Sequence, residues 1–333
     1  MHKKRGVWGT RIWVCFLLSL FFYPQISYVT QLGAGQFSIL RQVRSIDEIL
    51  ASDAESDSLK QKLVLVEDIY AFGTKELGLS DEGAYSTFYD QKGKPVLWVL
   101  TVCAPFSLTP ETWTFPIAGE VSYKGFFQKN QALEEMGRWK KNGYDVELEE
   151  VYAWSTLGWF KDPVMSQMLE KHPGDIANTI FHEMTHATIY RPGDIEFNEN
   201  IATFIGDKAC EDYLKKTYGE SSEWLLSYRK SRERKKRYAA MVARQGRQLD
   251  SLYKAISFSS LQEKKRIKEQ FMRNAVAELN TFRKFPLKAE DLTNCYYVDF
   301  KRYRSKQGDF DTLFEKDFSN HLAPFIRSFS KKR

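Results

Sequence analysis

The stretch Phe181-His182-Glu183-Met184-Thr185-His186 sets two histidines four positions apart with a glutamate directly after the first. Residues four apart lie one above the other on a helix, so both imidazoles can face one cation. The surroundings favour a helix. Ile176, Ile180 and Met184 recur every four residues with Phe181 beside them, which is a buried stripe at helical period. Asp175, after Pro173-Gly174, reads as the N-cap and Arg191-Pro192-Gly193 as the stop. Of the five histidines, His2, His172, His182, His186 and His321, two fall at ligand spacing on this one segment. Two neutral imidazoles suit Zn²⁺, and a carboxylate beside them can take a proton from metal-bound water and pass it to a leaving amine. The competing reading is a chance match, because the pattern leaves two positions free.

A catalytic zinc uses a third protein ligand and keeps one position open. Asp194, Glu196 and Glu199 follow within reach. A second helix beginning near Phe197 would run back past the first and bring the Glu199 carboxylate to the histidine pair. The N-E-x-x-A setting of Glu199 also looks like the third-ligand helix of the gluzincin metallopeptidases. His186 and Glu199 are only 13 positions apart, fewer than is common there, so Glu196 and Asp194 stay open.

Composition is globular, with 43% hydrophobic residues, 15% aromatics and 10 prolines in 333 residues. The net charge of +6 is modest and concentrated locally, and no nucleic-acid-binding signature is present. A nucleic-acid partner is not expected. Three cysteines of the body, Cys103, Cys210 and Cys295, cannot all pair. Buried free thiols are the expectation, with a Cys210 to Cys295 bridge as the alternative.

Along the chain, the basic segment His2 to Arg11 precedes an apolar run from Ile12 to Tyr23. Residues 1–30 read as a signal peptide or an N-terminal membrane anchor. No small-residue cleavage site follows Pro24, which favours an uncleaved anchor over about Val7 to Tyr23. Either outcome exports the body, to the outer side of the inner membrane or to the periplasm. Residues 36–79 read as helical, and strands are predicted at Val96 to Phe106, at Trp113 to Tyr123 with breaks at Pro116 and Gly119, and at Tyr144 to Trp154, with a helix over Phe126 to Lys141. A mixed sheet beside the metal helix follows. From about Ala209 the chain turns to long charged helices, including the basic run Arg229 to Arg237, which reads as a solvated helix face near anionic lipid, with a binding patch as the alternative. Helices around Leu292 to Tyr303 and Phe310 to Ile326 close the body, giving one domain over 31–333 with an α+β part at 36–208 and a helical part at 209–333.

Taken in order, the motifs Phe115-Pro116-Ile117-Ala118-Gly119, Tyr123-Lys124-Gly125-Phe126-Phe127, Ala153 to Pro163, the metal stretch, Phe197-Asn198-Glu199, Asn294 and Tyr303 resemble the putative aminopeptidase family of bacterial envelope metallopeptidases. Trp154 stands where that family often has tyrosine, Lys124 where it has arginine, and Thr293 replaces the first asparagine of a pair. Many relatives carry a lipoprotein signal that is not found here. The resemblance implies a zinc peptidase and supports metallopeptidase more strongly than exo-cleavage.

The expectation is therefore an α+β, zincin-like metallopeptidase with a small mixed sheet beside the H-E-x-x-H helix and a largely helical C-terminal part. His182, His186 and Glu199 would hold Zn²⁺ and Glu183 would serve as the base. Tyr303 is a candidate donor to the developing oxyanion, with a plain core aromatic as its alternative. Ser155 to Gly158 is either an edge strand pairing with an extended peptide substrate or a tight turn. Rival functions are a non-catalytic, metal-stabilised envelope scaffold, against which the intact Glu183 argues, and a cell-wall peptide hydrolase, which differs only in pocket shape.

Overall fold

The structure, a computed structural model, describes residues 28, 30–81, 83–115, 119–152, 161–304 and 307–330. The N-terminal apolar run and the Ser155 to Gly158 segment lie outside them. Among the described residues no helix is long and apolar enough to cross a membrane.

The architecture is α+β, with short strands set among long helices. Helix α1 (residues 30–40), α2 (Ile46–Ala51) and α3 (Asp57–Lys75) open the fold, interrupted by the short strand β1 (Arg44–Ser45). Helix α3 starts where the Ser56 hydroxyl accepts from the Leu59 N–H, the usual way an orphan donor is satisfied. Its Leu63, Val66 and Ile69 are wholly buried at helical spacing.

A small mixed sheet has the order β1, β2 (Thr87–Tyr89), β8 (Val164–Met165), antiparallel across the first pair and parallel across the second. From β8 the chain enters a 3₁₀ turn, Ser166–Glu170, and then α5 (Pro173–Thr188). Val164, Met165, Met168 and Leu169 share one core with the buried face of α5. These strands were not visible in the pattern, because two or three residues are too few to show alternation. The strands that were predicted went elsewhere. Leu97–Cys103 is β3, pairing antiparallel with β6 (Lys124–Phe126) and with β7 (Asp145–Val151). The predicted 113–123 strand, broken at Pro116 and Gly119, is two strands paired as a separate hairpin, β4 (Trp113–Phe115) and β5 (Gly119–Val121). Helix α4 (Lys129–Lys141) packs on the antiparallel sheet through Ala132, with Trp139 set against Trp113 and Tyr144.

The edge strand β6 is covered from the N-terminal side. The Tyr28 hydroxyl donates to the Gly125 carbonyl at 2.7 Å and accepts from the Gly125 N–H at 3.0 Å. A few residues on, Gly35 faces the Phe127 ring so closely that a Cβ would lie 2.2 Å from it.

Helix α6 (Ile195–Tyr218) lies along α5 and is continuous across position 209, where the sequence changes character. The charged hairpin that follows is α7 (Glu223–Ala255) and α8 (Leu261–Leu279), closed by Met241, Val242, Leu249, Met272 and Leu279 in a core of its own. Helix α9 (Asn294–Arg304) bridges hairpin, sheet and α6. The predicted final helix is two, α10 (Gln307–Phe318) and α11 (Leu322–Phe329), broken at Ser319 and Asn320, which both adopt positive φ. Under α9, burial and the nearby Asp299 carboxylate push the Glu147 carboxyl up to about 8. The three body cysteines are buried free thiols. Cys210 donates to Gly174 and Cys295 contacts the Thr101 and Asp145 carbonyls, so the alternative bridge between them is not made.

Candidate metal centre

Helix α5 begins one turn earlier than its sequence suggests. The N-cap is His172, whose Nδ1 accepts from the Gly174 N–H at 3.2 Å, and Pro173 takes the first helical position. That position needs no N–H donor and favours the fixed φ of proline. Asp175 is thus a first-turn acid rather than the cap. Ile176, Ala177, Ile180, Phe181 and Met184 are buried, while His182 and Glu183 are half-buried on the neighbouring face.

The return of the chain is fixed by one side chain. Asn198 accepts from the Arg191 N–H and donates to the Arg191 carbonyl, both at 2.8 Å, and the Arg191 guanidinium lies 3.5 Å from the centroid of the Phe197 ring. Gly193 takes φ 77° in the turn, and Asp194 caps α6 by accepting from the Phe197 N–H at 3.0 Å. Asp194 is therefore committed to the helix start. Glu196 pairs with Lys301 at 3.8 Å. Glu199 is the acid that meets the histidines, its Oε2 lying 3.3 Å from His182 Nε2 and 3.5 Å from His186 Nε2, which are themselves 3.1 Å apart. Of the described residues, these three alone form a His, Cys, Asp and Glu cluster with metal-ligand spacing.

Those edges can be compared with what an ion requires. With ligand bonds of roughly 2.0–2.1 Å and tetrahedral angles, neighbouring donors stand about 3.3–3.4 Å apart. The observed edges bracket that figure, so the donor set fits a tetrahedral first-row cation. His186 is 6% exposed, and its Nδ1 has no hydrogen-bond partner among the described residues. Burial would raise the Glu199 carboxyl, but the His186 charge and hydrogen bonds from both histidines hold it far below the carboxylate range. Burial acts to lower His186, and the Glu199 carboxylate outweighs it to give a net rise. Negative charge on Glu199 is thus favoured where a cation would sit.

The helix pair is held at close range by Gly206, where an added Cβ would lie 3.0 Å from the Asn178 carbonyl oxygen and 3.3 Å from the His182 nitrogen. Next to it, Asp207 receives Asn178 at 2.9 Å and the Tyr228 hydroxyl at 3.3 Å, and Arg232 stands 3.5 Å from its second oxygen. Tyr85 also borders the site. It is buried at φ 59°, and burial, then the Glu183 and Asp162 carboxylates, push its phenol well above the ordinary value. Mid-helix Gly206 was a visible signal of close packing; nothing in the pattern marked Tyr85. Tyr303 lies on α9, and its side chain is outside the described part. A cavity of about 450 Å³ between α1 and the antiparallel sheet contains none of the donors.

Fold and site together define an α+β protein with a helix-borne centre of two histidines and one glutamate. The chain belongs to the family described as putative aminopeptidase, which it matches over residues 27–331. No curated protein and no solved structure matches it.

Proposed function

We propose that this chain is a zinc-dependent peptidase, an aminopeptidase with a zincin-like core that acts outside the cytoplasm, held to the inner membrane by its N-terminal segment. The observation that carries the reading is the convergence of His182, His186 and Glu199, three donors from two antiparallel helices with edges of 3.1, 3.3 and 3.5 Å. Two imidazoles and one carboxylate are a donor set of catalytic zinc, and leave one position open. Membership of the aminopeptidase family supports the peptide substrate.

Bound zinc would acidify a water and polarise the scissile carbonyl. Glu183 follows His182 on the same helix and is not one of the three clustered donors. It takes the proton of the attacking water and returns it to the leaving amine. Tyr303 is assigned as a donor to the oxyanion. Asn198 and Gly206 position the donors by fixing how α6 returns along α5.

The test is to load the folded chain with zinc and incubate it with a mixed peptide library, reading products by mass spectrometry. Removal of N-terminal residues, abolished by chelation, restored by zinc and blocked by N-acetylation, is the expected result. A folded, zinc-replete chain that cleaves no peptide would overturn the peptidase reading, and cleavage of acetylated peptides would overturn exo-cleavage alone.

A further inference from the structure

The basic run on α7 divides into two groups with different surroundings. Arg229 and Arg232 are committed to carboxylates, Arg229 to Glu211 at 2.7 Å and Glu220 at 2.9 Å, Arg232 to Glu211 at 2.9 Å. Arg234 and Lys235 form the second group. With Arg283, from the segment after α8, they line a cavity of about 380 Å³ whose remaining walls are Ser231, Tyr238, Phe282 and Phe300. No acidic residue lines it. Among the described residues Arg234 bonds to the Phe282 carbonyl and Arg283 to the Phe285 carbonyl, while Lys235 reaches Asp175 outside the cavity at 3.1 Å. Counting Asp175 against the three cations still leaves a double positive charge around one hollow.

A solvated helix face would spread its charge. Here two separate chain segments bring cations to the same hollow above an aromatic floor, with the Tyr238 and Phe282 rings 5.8 Å apart. Two guanidiniums suit a ligand with several acceptor oxygens and more than one negative charge, because each can bind two oxygens at once. Lysine adds a point charge, and the aromatic walls offer apolar contact to whatever carries the anion. We infer that the cavity formed by Arg234, Lys235 and Arg283 over Tyr238, Phe282 and Phe300 binds a phosphate group, the organic part of the phosphate ester resting on the aromatic floor. The chemistry is shared by a soluble phosphate ester and an anionic lipid headgroup. It is independent of the metal centre.

The experiment uses the full chain and three probes: inorganic phosphate and phenyl phosphate by calorimetry, and vesicles of phosphatidylcholine with or without phosphatidylglycerol by flotation. Two double variants are compared with the parent, Arg234→Gln with Arg283→Gln, and Lys236→Gln with Arg237→Gln. The second pair removes the same amount of charge, from the basic run of α7, without touching the cavity lining. Circular dichroism verifies that both fold. Phenyl phosphate should bind saturably at one site per chain and more tightly than inorganic phosphate. The cavity pair should weaken it at least about tenfold, as losing charged hydrogen bonds does, and the control pair by less than about twofold. Selective loss of soluble phosphate binding identifies a soluble ester as ligand, and selective loss of only the phosphatidylglycerol-dependent flotation identifies a lipid headgroup. No binding of any probe beyond phosphatidylcholine vesicles, or equal weakening by both pairs, would overturn the assignment in favour of a diffuse basic face.

Discussion

Helices α6 and α7 follow one another in the chain and are built on opposite plans. From Asn200 to Asp207 every residue of α6 is buried, polar ones included. Helix α7 buries Leu225 and Tyr228 near its start and one stripe through Met241, Val242, Gln245, Leu249 and Tyr253, and leaves most of its length to solvent. A buried polar group must find partners or destabilise the fold, and on α6 they do. Asn198 clamps the turn, Asn200 donates to the Glu196 carbonyl, and Asp207 gathers Asn178, Tyr228 and Arg232. A helix enclosed on all sides cannot slide or roll, so its Glu199 is held in place. A one-faced helix serves as a wall, and its charges are free to act on the surface.

The sharpest test of this contrast is at the donors. His182→Ala, His186→Ala and Glu199→Ala should each remove nearly all bound zinc by elemental analysis, while Glu196→Ala and Asp194→Ala should retain it, the latter losing about 1 kcal/mol with its cap. Full zinc in Glu199→Ala would mean that burial does not place the third ligand. Next in size is Glu183→Gln, expected to lower turnover by about 10²- to 10⁴-fold with zinc and melting temperature unchanged. Similar rates for variant and parent would remove Glu183 from the mechanism.

Two glycines compare the helices directly. Gly206→Ala forces a Cβ to within 3.0 Å of a backbone oxygen that cannot turn aside, and should cost about 1–3 kcal/mol with weaker zinc binding. Gly246→Ala, on α7, meets only Tyr297 at 3.6 Å and should gain about 0.5–1 kcal/mol from helix propensity. Denaturant midpoints of the two variants should move in opposite directions; a shared direction would erase the contrast.

The joint between the regions gives a pH-dependent effect. Glu147 lies beneath α9 with its carboxyl raised to about 8, so the folded chain holds this proton more tightly than the unfolded one. Stability from this group is complete below the unfolded value of about 4.3 and is lost as pH rises through about 8. Glu147→Gln should therefore flatten the decline in melting temperature over that window and leave the chain more stable than the parent above it. Equal slopes for the two proteins would assign the decline to other groups.

How much of this was legible follows from the length over which each signal repeats. The metal helix was visible because Ile176, Ile180 and Met184 keep one period over several turns, and the long stripe of α7 was visible for the same reason. Glu199 was favoured on an assumed reversal of the chain that Asn198 and Gly193 carry out. The mixed sheet was foreseen as a kind of element but not in its members, since β1, β2 and β8 are two or three residues long and owe their pairing to neighbours distant in sequence. The N-cap of α5 was misplaced because histidine is an uncommon cap, and its ring nitrogen does the work usually given to Asp or Ser. Tyr85 left no trace at all: a left-handed backbone at a tyrosine is imposed by tertiary contacts, which no local pattern records.

The Tyr28 hydroxyl, bonded to both backbone groups of Gly125, also bears on how copies of this chain behave in a crowd. A strand edge with open N–H and C=O groups is a template on which a second molecule can add. One phenol occupies both groups at the middle of β6, and Gly35 lets the α1 backbone close over Phe127 beside it. The turns that carry Tyr28 and Gly35 thus act as a guard against self-association, and a protein clipped within them would keep its cluster of His182, His186 and Glu199 yet present a bare edge to its neighbours.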